Sequence, residues 1–151
     1  MKVALDTNIL VYAEGCWVDP AADRPKTAEV RRILDRLPTD RVAIPFNVLP
    51  ELFGVLRRKG RYSGDQARSA VRSWMAAYTI ISAATPLKTL VGALDLAADR
   101  GLSIMDAMIL SSAIESDCDI LLTEDMGHAT KYGRLSVLNP VRGDTVRSLR
   151  L

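Results

Sequence analysis

The 151-residue sequence has few cysteines, a single histidine and no long hydrophobic run. Its two cysteines, Cys16 and Cys118, show neither a metal-binding spacing nor a disulfide framework, which favours a reducing cytoplasm. Without a histidine or cysteine cluster, a zinc site is disfavoured. No segment approaches the roughly 20 apolar residues that span a bilayer, and Asp6 and Asn8 interrupt the apolar N-terminal segment that would otherwise resemble a signal peptide. We therefore expect a cytoplasmic protein that does not enter the membrane.

The sequence also lacks a strong net charge. Its 20 basic and 18 acidic residues leave a formal charge of +2, which neither requires nor excludes a nucleic-acid partner. A content of 48% hydrophobic and 25% charged residues is typical of globular proteins and excludes disorder as the main state. The length predicts one domain. We expect it to cover residues 1–140, because apolar periodicity fades beyond them and residues 141–151 read as an irregular tail.

Short runs of valine, isoleucine and leucine alternate along the chain with helical patterns. The predicted strands are residues 2–5, 41–44, 79–82, 119–122 and 135–138. Between them apolar residues recur at i, i+3, i+4 and i+7, which predicts amphipathic helices. The apolar stripes are Val30/Ile33/Leu34/Leu37, Leu49/Leu52/Phe53/Leu56, Ala67/Ala70/Val71/Trp74 and Leu87/Leu90/Val91/Leu94. Continuous apolar strands separated by such helices indicate an α/β three-layer sandwich with a parallel sheet covered on both faces. Residues 15–25, rich in proline, glycine and aspartate, predict one long loop.

Four acidic residues stand where the chemistry of an open parallel sheet usually collects, at the carboxyl ends of strands and the starts of helices. Asp6 ends the first predicted strand and Asp125 follows the fourth, whereas Glu51 and Asp106 lie near helix starts. Each has a purely structural alternative. Asp6 could cap a helix, Glu51 could be a solvated helical residue, Asp106 could close a capping box with Ser103, and Asp125 could form an Asx-turn.

The surroundings of two of these acids argue against the structural alternative. Glu51 has valines at i−3 and i+4, and Asp106 has apolar neighbours at i+3, i+4 and i+7. A buried acid without a cationic partner is costly, and no basic residue stands near Asp106 in the sequence. A divalent metal would satisfy all four acids. Hard cations such as Mg²⁺ prefer oxygen ligands and retain water, which suits hydrolysis at a phosphate.

Four segments together resemble a PIN domain, and more specifically the VapC-type toxins of bacterial and archaeal toxin–antitoxin pairs. They are LDTNIL at 5–10, PELFGVLRRK at 50–59, LSIMDAMILSSAI at 102–114 and ILLTEDM at 120–126. The resemblance runs from the first residues to about Pro140. It implies a five-stranded parallel sheet and an endoribonuclease that depends on Mg²⁺ or Mn²⁺ and leaves a 5′-phosphate and a 3′-hydroxyl. It also implies a homodimer and a small antitoxin protein that lies over the active site.

The resemblance assigns the family's acidic quartet to four residues and two supporting polar roles to others. The quartet, as metal ligands and catalytic residues, maps onto Asp6, Glu51, Asp106 and Asp125, and the supporting residues are Asn8 and Thr123. The chain departs from the family pattern at Met105, where an aromatic residue is common, and in the long 15–25 segment. Glu124 beside Asp125 leaves the fourth position open, although the family's Thr-x-Asp pattern favours Asp125.

Several other residues have both a functional and a structural interpretation. Arg57, Arg58 and Lys59 crowd the end of the Glu51 helix, where they would either suit the helix dipole or contact RNA phosphates. His128 is either incidental or a substrate contact, and Trp17 is expected to be exposed, where it could stack on a base or meet a partner.

A toxin ribonuclease has three alternatives. A haloacid-dehalogenase-like phosphatase needs a second acid two residues after the first, where this chain has Asn8. A PIN-like module that binds RNA or protein without cutting would typically have lost one of the four acids, and all four are present. A housekeeping RNA-processing nuclease shares the same site and stays open.

Overall fold

The computed structural model describes residues 1–16, 19–82, 86–149 and 151. The prediction made for Trp17 lies outside these residues. Among the described residues, none of the helices has the length and apolar character needed to cross a membrane.

A six-stranded sheet forms the middle layer of the described part of the chain, with strand order β3-β2-β1-β4-β6-β5. The strands are β1 (Val3–Leu5), β2 (Val42–Pro45), β3 (Thr79–Ile81), β4 (Ile120–Leu122), β5 (Lys131–Tyr132) and β6 (Leu135–Leu138). Strands β1, β2, β3, β4 and β6 are parallel, and only the two-residue β5 runs antiparallel, against β6. The predicted five-stranded parallel sheet and α/β fold class are therefore confirmed, with β5 as a short addition. Strand β1 is fully buried because helices cover both faces of the sheet.

Helices fill the two outer layers. They are α1 (Thr7–Glu14), α2 (Pro20–Leu34), α3 (Val48–Arg58), α4 (Gly64–Ala77), α5 (Pro86–Arg100), α6 (Ile104–Glu115) and α7 (Thr145–Ser148), with a 3₁₀ turn at Thr39–Arg41. Local sequence explains several ends. Gly15 ends α1 in the left-handed conformation at φ 73°, and Ser63 and Gln66 form a capping box at the start of α4.

The loop predicted over residues 15–25 is wrong, because α2 already begins at Pro20. The Asp19 carboxylate accepts from the backbone N–H groups of Ala21 and Ala22 and so caps the helix. Pro20 occupies the first helical position, where its missing N–H leaves no hydrogen bond unmade. The residues that suggested a loop are thus a helix-start signal.

Helix α5 forms where expected but buries a different face. Its apolar stripe of Leu87, Leu90, Val91 and Leu94 is exposed, from 39% at Leu90 to 76% at Leu87. The buried positions are Thr89 and Ala93, whose small side chains allow α5 to pack closely against α6. The buried face also makes polar contacts with α6, since the Thr89 hydroxyl donates to the Glu115 carboxylate at 2.6 Å.

The C-terminal region is less irregular than predicted. It contains helix α7, and Leu149 is 1% exposed as part of the main hydrophobic core. The side chain of His128 joins this region to the loop after β4, because its Nδ1 accepts from the Asn139 N–H at 3.1 Å and its Nε2 lies 3.0 Å from Asp144. Residues 141–149, predicted as part of an irregular tail, therefore pack against the domain through Leu149.

Candidate active site

The direction in which strands are added to the sheet reverses between β1 and β4. The chain builds outward from β1 through β2 to β3, and then returns to place β4 on the opposite side of β1. Leu5 pairs in register with Leu122, so the residues that follow these two strands lie side by side. Such a switch point leaves a crevice at the carboxyl ends of the strands. Asp6 and Thr123 both project from this position.

Asp6 is held by three donors and is only 3% exposed. One carboxylate oxygen accepts from the Thr7 backbone N–H at 2.6 Å, as a helix cap does. The other accepts from the Thr123 hydroxyl at 2.5 Å and from the Asn8 side-chain amide at 3.2 Å. The structural role proposed for Asp6 therefore exists, but it uses one of the two oxygens.

The electrostatic surroundings disfavour the charged form of Asp6. Burial is the main reason why the pKa of Asp6 rises from its ordinary 3.8 to about 7, and the Asp106 and Asp125 carboxylates act in the same direction. The hydrogen bonds from Thr123 and Thr7 oppose this rise without cancelling it. The cavity therefore contains more negative charge than its own hydrogen bonds compensate.

Asn8 joins the two acids that follow β1 and β4. Its Nδ2 donates to Asp125 at 2.9 Å and lies 3.2 Å from both Asp6 Oδ2 and Thr123 Oγ1. Thr123 is itself buried and accepts from the Asp125 backbone N–H at 3.1 Å. The Oδ1 atom of Asn8 is buried and, within the described part of the chain, has no hydrogen-bond partner. A buried acceptor without a donor is costly and is typically satisfied by water or an ion.

The other two acids reach the same crevice from neighbouring helices. Glu51, in the first turn of α3, accepts from the Thr7 hydroxyl at 2.6 Å. Asp106 is half-buried in the first turn of α6, and its backbone N–H is capped by Ser103 at 3.1 Å. The cavity has a volume of about 280 Å³ and is lined by Asp6, Thr7, Asn8, Val11, Tyr12, Cys16, Asp23, Glu51, Val55, Lys59, Asp106, Glu124 and Asp125. The structure thus brings the four sequence-predicted acids to one cavity.

Across the described ranges, no group of three or more histidine, cysteine, aspartate or glutamate side chains is arranged to hold a metal ion. The surroundings nevertheless fit a hard divalent cation. The donors are oxygen atoms, the pKa of Asp6 is raised, and the buried Asn8 Oδ1 lacks a donor. A cation would reduce the repulsion between the carboxylates and would give the Asn8 Oδ1 atom a partner.

Glu124 and Asp125 are adjacent in sequence but have different partners. The Glu124 carboxylate lies 2.5 Å from the Lys26 ammonium and accepts a short hydrogen bond from the Tyr12 hydroxyl. Lys26 also donates to the Tyr12 oxygen at 3.0 Å. Of the two acids, Asp125 is therefore the one bonded to Asn8 and linked through it to Asp6.

These contacts also determine the protonation states of Tyr12 and Lys26. Burial, followed by the hydrogen bond to Glu124, raises the pKa of Tyr12 to about 12, and the hydrogen bond to Glu124 raises the pKa of Lys26. Both groups therefore stay protonated at neutral pH. No sequence motif marks Tyr12, Lys26 or the buried Asp23. Lys26 and Asp23 come near the site only because α2 packs against α1, which also carries Tyr12.

The three predicted RNA contacts differ in their access to the cavity. Lys59 lines it, whereas Arg57 turns back to donate to the Tyr62 carbonyl at 3.0 Å and Arg58 is an exposed side chain near Gly54. His128 does not line the cavity and instead bonds Asn139 and Asp144.

Comparison with known proteins places this architecture in a family. A model described as PIN domain matches residues 3–133, and the chain belongs to the PIN domain family. A comparison with curated protein sequences gave no match. The fold is that of VapC-type toxins, as three solved structures show.

The first is a toxin–antitoxin complex from Klebsiella pneumoniae, with 18% identity, a TM-score of 0.65, and coverage of 93% of this chain and 99% of that one. The second is VapBC2 from Rickettsia felis bound to a DNA fragment from its promoter, with 25% identity, a TM-score of 0.60, and coverage of 92% and 98%. The third is Mycobacterium tuberculosis VapC20, described as a toxin that cleaves the sarcin–ricin loop, with 16% identity, a TM-score of 0.62, and coverage of 80% and 87%.

Proposed function

We propose that this protein is a metal-dependent endoribonuclease and the toxin of a VapBC-type toxin–antitoxin pair. The observation that carries the proposal is the meeting of Asp6, Glu51, Asp106 and Asp125 at one cavity beside the β1–β4 switch point. Membership of the PIN domain family and the fold shared with VapC toxins support it.

The four acids would hold Mg²⁺ or Mn²⁺, directly or through water. When bound, the ion would supply charge neutralisation at the phosphate and activation of water. The chain's own residues position the acids. Asn8 and Thr123 orient Asp6, and Thr7 holds Glu51 by its hydroxyl. The products would carry a 5′-phosphate and a 3′-hydroxyl.

RNA would approach along the end of α3. Lys59 lines the cavity and would bind the phosphate next to the cleaved bond, whereas Arg57 and Arg58 lie on the exposed end of the same helix and would contact neighbouring phosphates. Such contacts are sequence-independent and weaken as salt increases.

The partners follow from the same family. Two of the three solved structures are toxin–antitoxin complexes, which supports a small antitoxin as the partner of this chain. We also propose a homodimer, with the exposed apolar face of α5 (Leu87, Leu90, Val91 and Leu94) against a second copy, because a contiguous apolar face of this kind is unfavourable in water.

Cleavage of a labelled RNA with and without Mg²⁺ or Mn²⁺ tests the enzyme function. Wild type should cut only with the ion, and Asp6→Asn should not cut. Asp40→Asn is the matched control, since Asp40 is exposed in the 3₁₀ turn that precedes β2, at the opposite edge of the sheet. RNA binding without cleavage under all ion conditions would support a binding module instead.

Expression in bacteria separates a toxin from a housekeeping nuclease. The wild type alone should arrest growth, and co-expression of the antitoxin encoded beside it should restore growth. Normal growth of cells that contain active enzyme would support the housekeeping alternative.

A further inference from the structure

Two adjacent acids at the end of β4 line one cavity but are bound by different groups. Asp125 accepts from Asn8 at 2.9 Å, whereas Glu124 is held by Lys26 and Tyr12. Glu124 and Asp125 are consecutive residues of the bend that follows β4, so restraining the side chain of one also restrains the short backbone segment that carries the other. What holds Glu124 therefore also determines where Asp125 points.

Tyr12, Lys26 and Glu124 form a cluster that joins three separate elements. Tyr12 comes from α1, Lys26 from α2 and Glu124 from the loop after β4. The Lys26 ammonium lies 2.5 Å from Glu124 Oε1 and 3.0 Å from the Tyr12 oxygen, and the Tyr12 hydroxyl donates to Glu124 Oε2. The side chains of Lys26 and Glu124 are 26% and 25% exposed, so this pair is shielded more than an ordinary surface ion pair.

The position of the Glu124 carboxylate matters because the cavity already contains several other negative charges. The cavity is lined by the carboxylates of Asp6, Asp23, Glu51, Asp106, Glu124 and Asp125. Without Lys26, the Glu124 carboxylate would lose its counter-ion and would be free to rotate toward any cation in the cavity, in competition with Asp125. Two flexible acids on adjacent residues would then offer alternative ligand sets.

We infer that Lys26 is a positioning residue of the active site, which holds Glu124 against Tyr12 and thereby leaves Asp125 as the acid that faces Asn8 and Asp6. This role rests on the proposed metal-dependent nuclease function. The mechanism is selection between two neighbouring carboxylates. Lys26 acts through Glu124 and has no direct contact with the substrate.

Four variants test this role, each compared with wild type for kcat and KM on RNA and for Mn²⁺ affinity in calorimetry without RNA. Lys26→Met removes the charge but keeps the length of the side chain. Lys26→Met combined with Glu124→Gln also removes the competing carboxylate. Lys26→Arg keeps the charge, and Lys88→Met is the control, since Lys88 is exposed on α5 and does not line the cavity.

Lys26→Met should lower kcat by about 10- to 100-fold, the range for groups that orient metal ligands, with little change in KM. Its Mn²⁺ affinity should differ from that of wild type. The added Glu124→Gln should restore most of kcat and return the Mn²⁺ affinity toward the wild-type value, which a purely structural or RNA-binding role of Lys26 would not produce. Lys26→Arg should retain most activity, and Lys88→Met should match wild type.

Three results would overturn the inference. Lys26→Met with wild-type kcat and Mn²⁺ affinity would show that Glu124 needs no restraint. An increase in KM alone would make Lys26 an RNA contact. Failure of Glu124→Gln to rescue would show that competition between the two acids is not the cause. Failure of the proposed function is recognised separately, since wild type would then not cut RNA with either ion, or Asp6→Asn would cut it as fast as wild type.

Discussion

The side-chain amide of Asn8 donates to the carboxylate of Asp125 at 2.9 Å, across a sequence separation of 117 residues. The same amide lies 3.2 Å from Asp6, so one neutral side chain links the acids that follow two neighbouring strands. Asparagine suits this place because its two N–H donors can serve two carboxylates without adding charge. An aspartate there would bring a further negative group into the cavity.

Asn8→Ala should therefore leave Asp125 and Asp6 unbridged. We expect RNA cleavage to fall by about 10- to 100-fold and the free energy of unfolding to fall by about 1.5–3 kcal/mol, as for loss of a hydrogen bond to a charged group. Asn8→Asp, measured beside it, should be less stable than Asn8→Ala in chelator and should recover stability when Mn²⁺ is added. Wild-type cleavage by Asn8→Ala would contradict the bridging role.

The raised pKa of Asp6 predicts how stability depends on pH. Because the pKa is about 7 in the folded chain and 3.8 in its ordinary state, the folded form binds the proton more tightly. The contribution of Asp6 to the free energy of unfolding should therefore be complete below pH 4. It should be lost as pH rises from 4 through 7, a change of a few kcal/mol as an order of magnitude. Chemical denaturation of Asp6→Asn in chelator should give a flatter pH profile. Parallel profiles for the two proteins would contradict the assignment.

Divalent cations should stabilise the wild type by binding the folded chain. At a hundredfold excess over Kd the gain is about 2.7 kcal/mol, which corresponds to roughly 5–10 °C in Tm for a domain of this size. The Asp6→Asn/Asp106→Asn double variant should lose most of this shift and, without metal, should be at least as stable as wild type. Differential scanning fluorimetry measures both. Equal shifts in the two proteins would mean that the cation binds elsewhere.

The hydroxyl of Thr123 should be required for full RNA cleavage near neutral pH. Thr123→Val keeps the shape but removes the 2.5 Å hydrogen bond to Asp6, so the pKa of Asp6 should rise further and cleavage near neutral pH should fall. Thr123→Ser is the matched control, because it retains the hydroxyl and should preserve the pH profile of cleavage. Identical profiles for Val and Ser would exclude a role for the hydrogen bond.

Lys59 should contribute more to RNA affinity than Arg57. Lys59→Gln should weaken binding and reduce the slope of log K against log salt by about one, as expected for one lost phosphate contact. Arg57→Gln should have a smaller effect, because Arg57 is bonded to the Tyr62 carbonyl. Binding by an inactive Asp6→Asn background over a range of salt concentrations measures both. A larger effect for Arg57 would contradict the proposed RNA path.

Much of the parallel sheet could be predicted from the sequence, because buried parallel strands require continuous apolar runs such as residues 3–5 and 120–122. The four acids could be placed together for a related reason, since the ends of parallel strands share one edge. The antiparallel β5 has only two residues and leaves no periodicity to detect.

The features that the sequence did not reveal depend on tertiary contacts. The apolar stripe of α5 predicts a helix but not its buried face, which is set by Thr89 and Ala93 against α6. Lys26 directly follows the predicted 15–25 loop, and its contact with Glu124 depends on where α2 lies relative to the segment after β4. No local pattern encodes a contact between residues so far apart in the chain.

The position of β4 beside β1 has a consequence for synthesis. Asp6 leaves the ribosome well before Asp106 and Asp125, which belong to α6 and to the loop after β4. Because β1 cannot pair with β4 before β4 has been synthesised, the nascent chain has no complete acidic centre until that point. Under the proposed function, the groups that would cut RNA therefore stay apart in the nascent chain and meet only once β4 can join the sheet beside β1.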